Sequence, residues 1–313
     1  MKRFLSLVLG LVIAAIALPP LWYAVFPGAA APPLPPPGTR AMLPGEVGVN
    51  VIESGTGPPV LLSHGLPGSA YDWRETTAAL AARGFRALAY DRVGYGHSDP
   101  RTEGQYTPEQ NARELVQLLE ALDLREAIVV GWSYGGATAM SAALMDDSRM
   151  AGLVLVGTGG PDSDDAVPPG EPLVMRIFNS TAALRWRRAV PPVGIGLIRA
   201  VTDQAFSGGP QPDWWMPGTI ANLARWDTVA SYQGEIRGLS PETVGEFDVR
   251  KITVPTLLVH GDNDRLAPVA ISRYLASRIP NSELLEVKNG SHMLPVTEPD
   301  LLADRIAALA AAP

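Results

Sequence analysis

A serine set between two glycines is the clearest chemical signal in the chain, in the pentapeptide Gly131-Trp132-Ser133-Tyr134-Gly135. An apolar stretch of strand character, residues 127–130, ends directly before it, and a run of small residues that suits a helix follows. This order is typical of a sharp strand-to-helix turn that displays the serine hydroxyl, because larger residues at the two glycine positions would collide with the backbone. Ser133 is therefore predicted to be a nucleophile.

A serine hydroxyl needs a neighbouring base, and histidine is the usual base near neutral pH. Of the four histidines, only His260 and His292 follow Ser133. Where a turn of this kind carries the nucleophile, an acid and then the histidine follow it along the chain. Only His292, just after the last expected strand, has acidic residues at a strand end between it and the serine. His292 is the predicted base, and His64 is expected to brace its own loop by hydrogen bonds.

The acid that orients this histidine is expected just past the strand that ends at His260, within residues 261–268. Asp264 is predicted to accept the imidazole N–H and to stabilise the imidazolium that forms during catalysis. Asp262 fits a turn-capping role better, since aspartate readily bonds the backbone two residues further on. Asp162, which follows an earlier strand, remains an alternative acid.

Negative charge that develops on a substrate oxygen requires hydrogen-bond donors already aimed at it. The N–H of Tyr134, at the start of the expected helix, is one such donor. The N–H of Leu66 in His64-Gly65-Leu66-Pro67 is the second, because Pro67 has no N–H to offer. Leu66 and Tyr134 are therefore the predicted oxyanion hole.

The elements that must position these residues alternate between short apolar strands and amphipathic helices from Glu46 onward. The pattern predicts an α/β fold, a mostly parallel sheet of the eight-stranded type with helices on both faces. Strands are expected at residues 47–52, 60–63, 85–90, 127–130, 153–156, 256–260 and 284–287. Because parallel strands end at one edge of a sheet, the motifs should gather there. Asp91 and Arg92, after the third of these strands, are expected to hold their loop by mutual and backbone hydrogen bonds.

The N-terminal residues 1–26 are predicted to form a transmembrane anchor or an export signal. Residues 4–26 carry no charge and, at about 1.5 Å of rise per residue, are long enough to cross a bilayer as one apolar helix. The preceding Lys2 and Arg3 predict a membrane-anchored enzyme whose catalytic domain lies outside the cytoplasm, in the periplasm or the extracellular space. Pro19-Pro20 leaves a cleaved signal peptide, and hence secretion, as the alternative.

A proline-rich linker is expected at residues 27–45, ahead of a folded domain at residues 46–313. The strand and helix pattern is lost between about residues 161 and 250, a stretch that is too long for a loop and predicts a helical module on the sheet. The net charge of −7 and the scattered basic residues argue against a nucleic-acid partner. The absence of cysteine excludes disulfides, thiolate chemistry and cysteine-ligated metals, and the sequence leaves the oligomeric state open.

Five motifs in this order resemble those of the α/β-hydrolase superfamily, and the resemblance covers Glu46 to the C-terminus. They are H-G-L-P at 64–67, D-R-V-G-Y-G-H-S-D at 91–99, G-W-S-Y-G-G at 131–136, G-D-N-D-R-L-A-P at 261–268 and G-S-H-M at 290–293. Similar sequences that carry aspartate at the position of Ser133 are epoxide hydrolases and haloalkane dehalogenases, and the serine argues against both activities.

The resemblance implies a serine hydrolase with a cap domain at about 161–250 that cleaves an ester or related acyl bond of a small to medium apolar substrate. It implies a Ser-His-Asp triad, an acyl-enzyme, and neither a cofactor nor a metal. Two alternatives use the same residues: a catalytically idle ligand-binding protein, and a cofactor-free haloperoxidase or perhydrolase in which peroxide replaces water.

Overall fold

The computed structural model describes residues 16–18, 21, 31–101, 106–160, 191–238 and 248–311. Its centre is an eight-stranded sheet with the strand order β1-β2-β4-β3-β5-β6-β7-β8. The strands are β1 Thr39–Leu43, β2 Val47–Ser54, β3 Pro59–Ser63, β4 Arg86–Tyr90, β5 Ala127–Trp132, β6 Met150–Val156, β7 Thr256–Gly261 and β8 Ser282–Val287. β2 pairs antiparallel with both β1 and β4, whereas every pair from β4 to β8 is parallel.

Helices connect these strands and cover both faces of the sheet. They are α1 Arg74–Ala82, α2 Pro108–Ala121, α3 Tyr134–Met145, α4 Pro191–Ala205, α5 Trp215–Leu223, α6 Trp226–Gly238, α7 Val269–Arg278, α8 Leu294–Thr297 and α9 Pro299–Ala310. Helix α2 begins at two residues that favour a helix start: Thr107 accepts a hydrogen bond from the N–H of Gln110, and Pro108 occupies the first helical position. Two apolar clusters, one on each face of the sheet, form the core.

The central strands are apolar throughout because both of their faces are covered. Every residue of β5 is buried, and so are Leu61, Leu62 and Val156 on the neighbouring strands. Such continuous apolar runs are typical of parallel strands packed between helices. The α/β architecture with a mostly parallel eight-stranded sheet is therefore confirmed.

One strand of the sheet lies where the sequence predicted only a linker. β1, Thr39–Leu43, falls within residues 27–45 and pairs with β2 along its length. An ion pair between Arg40 and Asp99 and a hydrogen bond from the N–H of Gly38 to Asn50 Oδ1 (2.8 Å) hold it in place. The strand was missed because the many prolines before it made the whole segment resemble a proline-rich linker.

The prediction of a membrane-anchored enzyme outside the cytoplasm is wrong, and so is the expected partnership with a membrane. No helix in the described part of the chain is long and apolar enough to cross a bilayer. Within residues 4–26 the structure describes residues 16–18 and 21, which are helical, and the rest of that segment lies outside the described residues. An uncharged run is necessary for a span but does not suffice, because a span also requires one continuous helix in which the backbone groups are hydrogen-bonded.

Helices α4, α5 and α6 lie between β6 and β7 in the chain, inside the stretch where the sequence pattern is lost. We call these three the insertion helices. Residues 161–190 and 239–247 of the same stretch lie outside the described residues. The expectation of helical structure there agrees with the part that is described.

Candidate active site

Ser133 sits on a strained turn between β5 and α3. Its backbone angles, φ 55° and ψ −121°, are ones that a residue with a side chain rarely adopts. A Cβ on Gly131 would lie 2.3 Å from the carbonyl oxygen of Gly135, and a Cβ on Gly135 would lie 2.3 Å from that of Ser63. The two glycines are therefore required by backbone contacts, as the sequence predicted. Ser133 itself is only partly buried.

Two neighbouring strand ends enclose the serine. The N–H of Ser133 donates to the carbonyl of Val156 at the end of β6 (3.0 Å). On the other side lies Gly65, where an added Cβ would approach the Cβ of Ser133 to 3.0 Å. Ser133 therefore stands at the carboxyl edge of the parallel sheet, between the loops that follow β3 and β6.

His292 and Asp264 are hydrogen-bonded to each other. The His292 Nδ1 to Asp264 Oδ2 distance is 2.6 Å, with the imidazole 6% exposed and the carboxylate fully buried. The second oxygen of Asp264 accepts the N–H groups of Leu266 (2.8 Å) and Ala267 (2.9 Å), which fixes the carboxylate in its loop. An ionised carboxylate can only accept, so Nδ1 of His292 carries the proton and Nε2 is left as the basic atom.

Asp264 is ionised despite its burial. Burial by itself raises the pKa of this carboxyl, but the hydrogen bonds from His260 and His292 outweigh it and hold the pKa well below its usual range. A carboxylate with such donors is a stable acceptor and does not take up the proton itself.

Ser133 and His292 are connected through their neighbours, and no hydrogen bond joins their side chains in the described part of the chain. The indole of Trp132 donates to the carbonyl of His292 (2.9 Å), and the two rings are 5.6 Å apart between centroids. Gly157 follows Val156, whose carbonyl bonds the N–H of Ser133. It also lies beside the bond between His292 and Asp264, since a Cβ added to Gly157 would lie 3.4 Å from both Asp264 Oδ2 and His292 Nδ1. Among the described residues neither the Ser133 hydroxyl nor Nε2 of His292 has a hydrogen-bond partner. Such bonds are often long in ligand-free enzymes.

The other candidates take different places. Asp262 is exposed and accepts the N–H of Asn289 (2.6 Å) instead of bonding its own turn. Asp162 lies outside the described residues. His260 is fully buried, with Nδ1 2.7 Å from the hydroxyl of Ser272 and Nε2 3.3 Å from Asp264. His260 thus contacts the same carboxylate oxygen that accepts the N–H of His292.

The oxyanion loop, residues 64–68, is fixed by the carbonyl of Gly65. This oxygen accepts from His64 Nδ1 (2.8 Å), Arg92 Nη2 (3.2 Å) and the N–H of Gly68 (3.0 Å). Nε2 of His64 accepts the N–H of Arg92 (3.0 Å), so the bracing role expected for His64 is confirmed. Burial, together with the charge of Arg92, lowers the pKa of His64 well below its ordinary value and keeps the ring neutral.

The two predicted oxyanion donors are backbone N–H groups that make no hydrogen bond within the described part of the protein. Within the described residues, neither the N–H of Leu66 nor the N–H of Tyr134 has an acceptor in the protein. Tyr134 opens helix α3, and a helix N-terminus carries partial positive charge that suits an anion.

Arg92 makes a contact that the sequence did not predict. Asp91 does hold the loop, accepting the N–H groups of Ala70 and His97. The expected mutual bond with Asp91 is wrong, because the guanidinium pairs with Glu235 of helix α6 at 2.5 Å. Glu235 could not be found from the sequence, since it lies where the periodicity is lost and its partner is 143 residues away.

Comparison with known proteins assigns the chain to one family. The family profile described as alpha/beta hydrolase fold matches residues 58–191, and that described as serine hydrolase matches residues 210–302. A non-heme chloroperoxidase of Streptomyces lividans is 31% identical over 273 residues, covering 82% of this chain and 94% of the relative. A 2-hydroxy-6-oxononadienedioate hydrolase of Paraburkholderia xenovorans is 29% identical over 250 residues, covering 77% and 82%.

Solved structures agree on the fold. An esterase of Exiguobacterium antarcticum superimposes with a TM-score of 0.70 at 20% identity, over 88% of this chain and all of the esterase. The chain belongs to the α/β-hydrolase superfamily and is a hydrolase-fold enzyme.

Proposed function

We propose that the chain is a serine hydrolase that cleaves an ester or related acyl bond of a small to medium apolar substrate. The observation that carries the proposal is the 2.6 Å pair of His292 and Asp264 beside the strained turn of Ser133. Residues 39–313, which include strand β1, would form the hydrolase domain and about 161–250 its cap. The motif resemblance and the family match support the same reaction class.

In the proposed reaction, Nε2 of His292 takes the hydroxyl proton while Ser133 Oγ bonds to the acyl carbon. The negative charge on the former carbonyl oxygen is stabilised by the N–H groups of Leu66 and Tyr134, each worth about 3–4 kcal/mol in comparable sites. Collapse breaks the bond to the leaving alcohol, which receives the proton from His292. A water molecule deprotonated by His292 then attacks the acyl-enzyme, releases the carboxylic acid and restores Ser133.

An apolar substrate suits the side chains that the insertion helices bring to the histidine. The N–H of His292 donates to the carbonyl of Ala205 at the end of α4 (3.1 Å). The adjacent Phe206 packs edge-on against Trp215, with 5.5 Å between ring centroids, and Trp215 packs in turn against Trp214. Phe206 and Trp215 are buried in the apolar cluster that also contains Trp132 and Met293, the chain neighbours of Ser133 and His292. An apolar environment beside the proposed site favours apolar acyl or alcohol groups.

A panel of p-nitrophenyl esters of graded acyl length, with one amide and one epoxide, tests this proposal against Ser133→Ala as the control. We expect turnover of esters with short to medium acyl chains and no turnover by the control. Epoxide opening, or ester turnover that survives in the control, would refute the proposal. Tight ligand binding without turnover would instead favour the idle binding protein.

Perhydrolysis is a second candidate, favoured by the similarity to a non-heme chloroperoxidase. In that reaction hydrogen peroxide replaces water at the acyl-enzyme, so a peroxy acid leaves and Ser133 is restored. Bromination of monochlorodimedone in acetate, peroxide and bromide measures it. The activity should disappear in Ser133→Ala.

A further inference from the structure

A buried polar network joins helix α6 to the residues beside the nucleophile. Glu235 Oε1 receives Arg92 Nη1 (2.5 Å) and Asn111 Nδ2 (2.7 Å), and Oε2 receives the hydroxyl of Tyr95 (2.6 Å). The side chains of Arg92 and Glu235 are 1% and 0% exposed. Removing both charges from water costs stability that a pair of apolar residues would not cost. The position of the network therefore needs an explanation beyond stability.

Arg92 contacts the peptide unit that carries the first proposed oxyanion donor. Its Nη2 donates to the carbonyl oxygen of Gly65, and this carbonyl shares a planar trans peptide with the N–H of Leu66. In such a unit the C=O and the N–H point in opposite directions. Fixing the oxygen on the Arg92 side therefore fixes the direction of the Leu66 N–H. A charged donor on the oxygen also polarises the peptide and strengthens the N–H as a donor.

The same guanidinium contacts the residue that carries the second proposed donor. Its carbon lies 4.8 Å from the ring centroid of Tyr134 and 4.6 Å from that of Tyr95, so it is held between two aromatic faces. Asn111, which bonds Glu235, also reaches the hydroxyl of Tyr134 (3.4 Å). One side chain thus contacts the residues on both sides of the predicted oxyanion hole.

The guanidinium divides its donors between helix α6 and the oxyanion loop. Its Nη1 donates to Glu235 and its Nη2 donates to the carbonyl oxygen of Gly65. One rigid, planar group therefore links the position of the helix to the position of the loop.

We propose that Arg92, held by Glu235 of helix α6, is a positioning residue that aims both oxyanion donors and thereby couples the insertion helices to catalysis. The proposal rests on the proposed function, because it needs an oxyanion to stabilise. Loss of the network should then weaken transition-state stabilisation while leaving substrate binding nearly unchanged.

The test uses the double variant Arg92→Met/Glu235→Gln in the full chain. It removes both charges together, so that neither is left buried alone, and the glutamine can still bond Tyr95 and Asn111. We expect kcat for a p-nitrophenyl ester to fall about 10- to 100-fold with KM within about twofold, since misplacing oxyanion donors costs rates of this order. Affinity for a trifluoromethyl ketone, whose adduct places an oxyanion in the hole, should fall by the same factor.

Glu53→Gln is the matched control. It makes the same substitution in another ion pair with two hydrogen bonds, Arg86 with Glu53 (2.7 and 2.9 Å), whose hydrogen bonds reach no residue of the Arg92 network. We expect the control to lower the melting temperature with kcat and ketone affinity at the wild-type level. If the double variant does not fold, Arg92→Lys keeps a cation beside Glu235, removes the second nitrogen that donates to Gly65, and should give a milder form of the same kcat loss.

Losses of kcat that follow melting temperature across all variants, the control included, would overturn the proposal, and so would a folded double variant with wild-type kcat. Failure of the proposed function is distinct. In that case the wild type itself would neither turn over esters nor bind the ketone.

Discussion

The assignment of the acid can be tested by exchanging one atom in each of two neighbouring aspartates. In Asp264→Asn the amide oxygen can still accept the N–H groups of Leu266 and Ala267, which now bond Oδ1. The NH₂ group then replaces Oδ2, 2.6 Å from His292 Nδ1. Two donors cannot share that contact, so the imidazole must move its proton to Nε2. In this tautomer it cannot accept the proton of Ser133.

The expected loss follows from this tautomer argument. An asparagine in place of the triad acid lowers kcat by about 10⁴ in the best-studied serine hydrolases, or about 5.5 kcal/mol at about 1.4 kcal/mol per decade. Asp262→Asn is the matched control, because that side chain is exposed and an amide oxygen can still accept the N–H of Asn289. Its kcat should stay within about twofold of wild type.

Initial rates of ester hydrolysis at saturating substrate measure both variants, with circular dichroism to establish folding. The assignment of Asp264 as the triad acid is refuted if folded Asp264→Asn keeps more than about a tenth of the wild-type kcat. It is equally refuted if the larger loss falls on Asp262→Asn.

Two further predictions concern the turn and a buried carboxyl. Gly135→Ala places a Cβ 2.3 Å from the carbonyl oxygen of Ser63, so it should lower the activity and should lower the free energy of unfolding in urea titrations by about 1–3 kcal/mol or more. Gly196→Ala is the control, because its Cβ meets nothing within 4 Å and should leave both quantities near the wild-type level. Equal stability of the two variants would contradict this prediction. Burial raises the pKa of Asp72 to about 7; the N–H of Ser69 opposes this shift and the charge of Asp91 reinforces it. This carboxyl therefore keeps its proton to a higher pH in the folded chain than in the unfolded chain. Wild-type stability should fall as the pH rises from about 4 through 7. Melting temperatures at pH 5 and pH 8 should differ less in Asp72→Asn than in wild type, and an identical difference would remove Asp72 from the account.

The elements that carry short-range signals could be predicted from the sequence. The turn around Ser133, the helix start at Thr107 and the apolar strands each depend on residues within a few positions of one another. The order of motifs along the chain then places the predicted site at one edge of the sheet. These features required only local geometry and the rule that parallel strands end together.

The features that were missed depend on contacts between distant parts of the chain. Strand β1 is defined by its pairing with β2 and not by its own composition. The bond of Arg92 to Glu235 joins a loop after β4 to helix α6, within the stretch whose periodicity gives no register. The membrane anchor was predicted wrongly from a local signal, the apolar run at residues 4–26. Local hydropathy alone does not determine whether a segment spans a membrane.

The most direct test of the central claim is covalent labelling with a fluorophosphonate at pH 8, followed by peptide mass spectrometry. Phosphonylation requires an activated serine, its base and the oxyanion donors together. We expect a single adduct on Ser133 in the wild type and none in Ser133→Ala, with strongly slowed labelling in His292→Ala. Folded wild-type protein that carries no adduct, or an adduct on another serine, would contradict it.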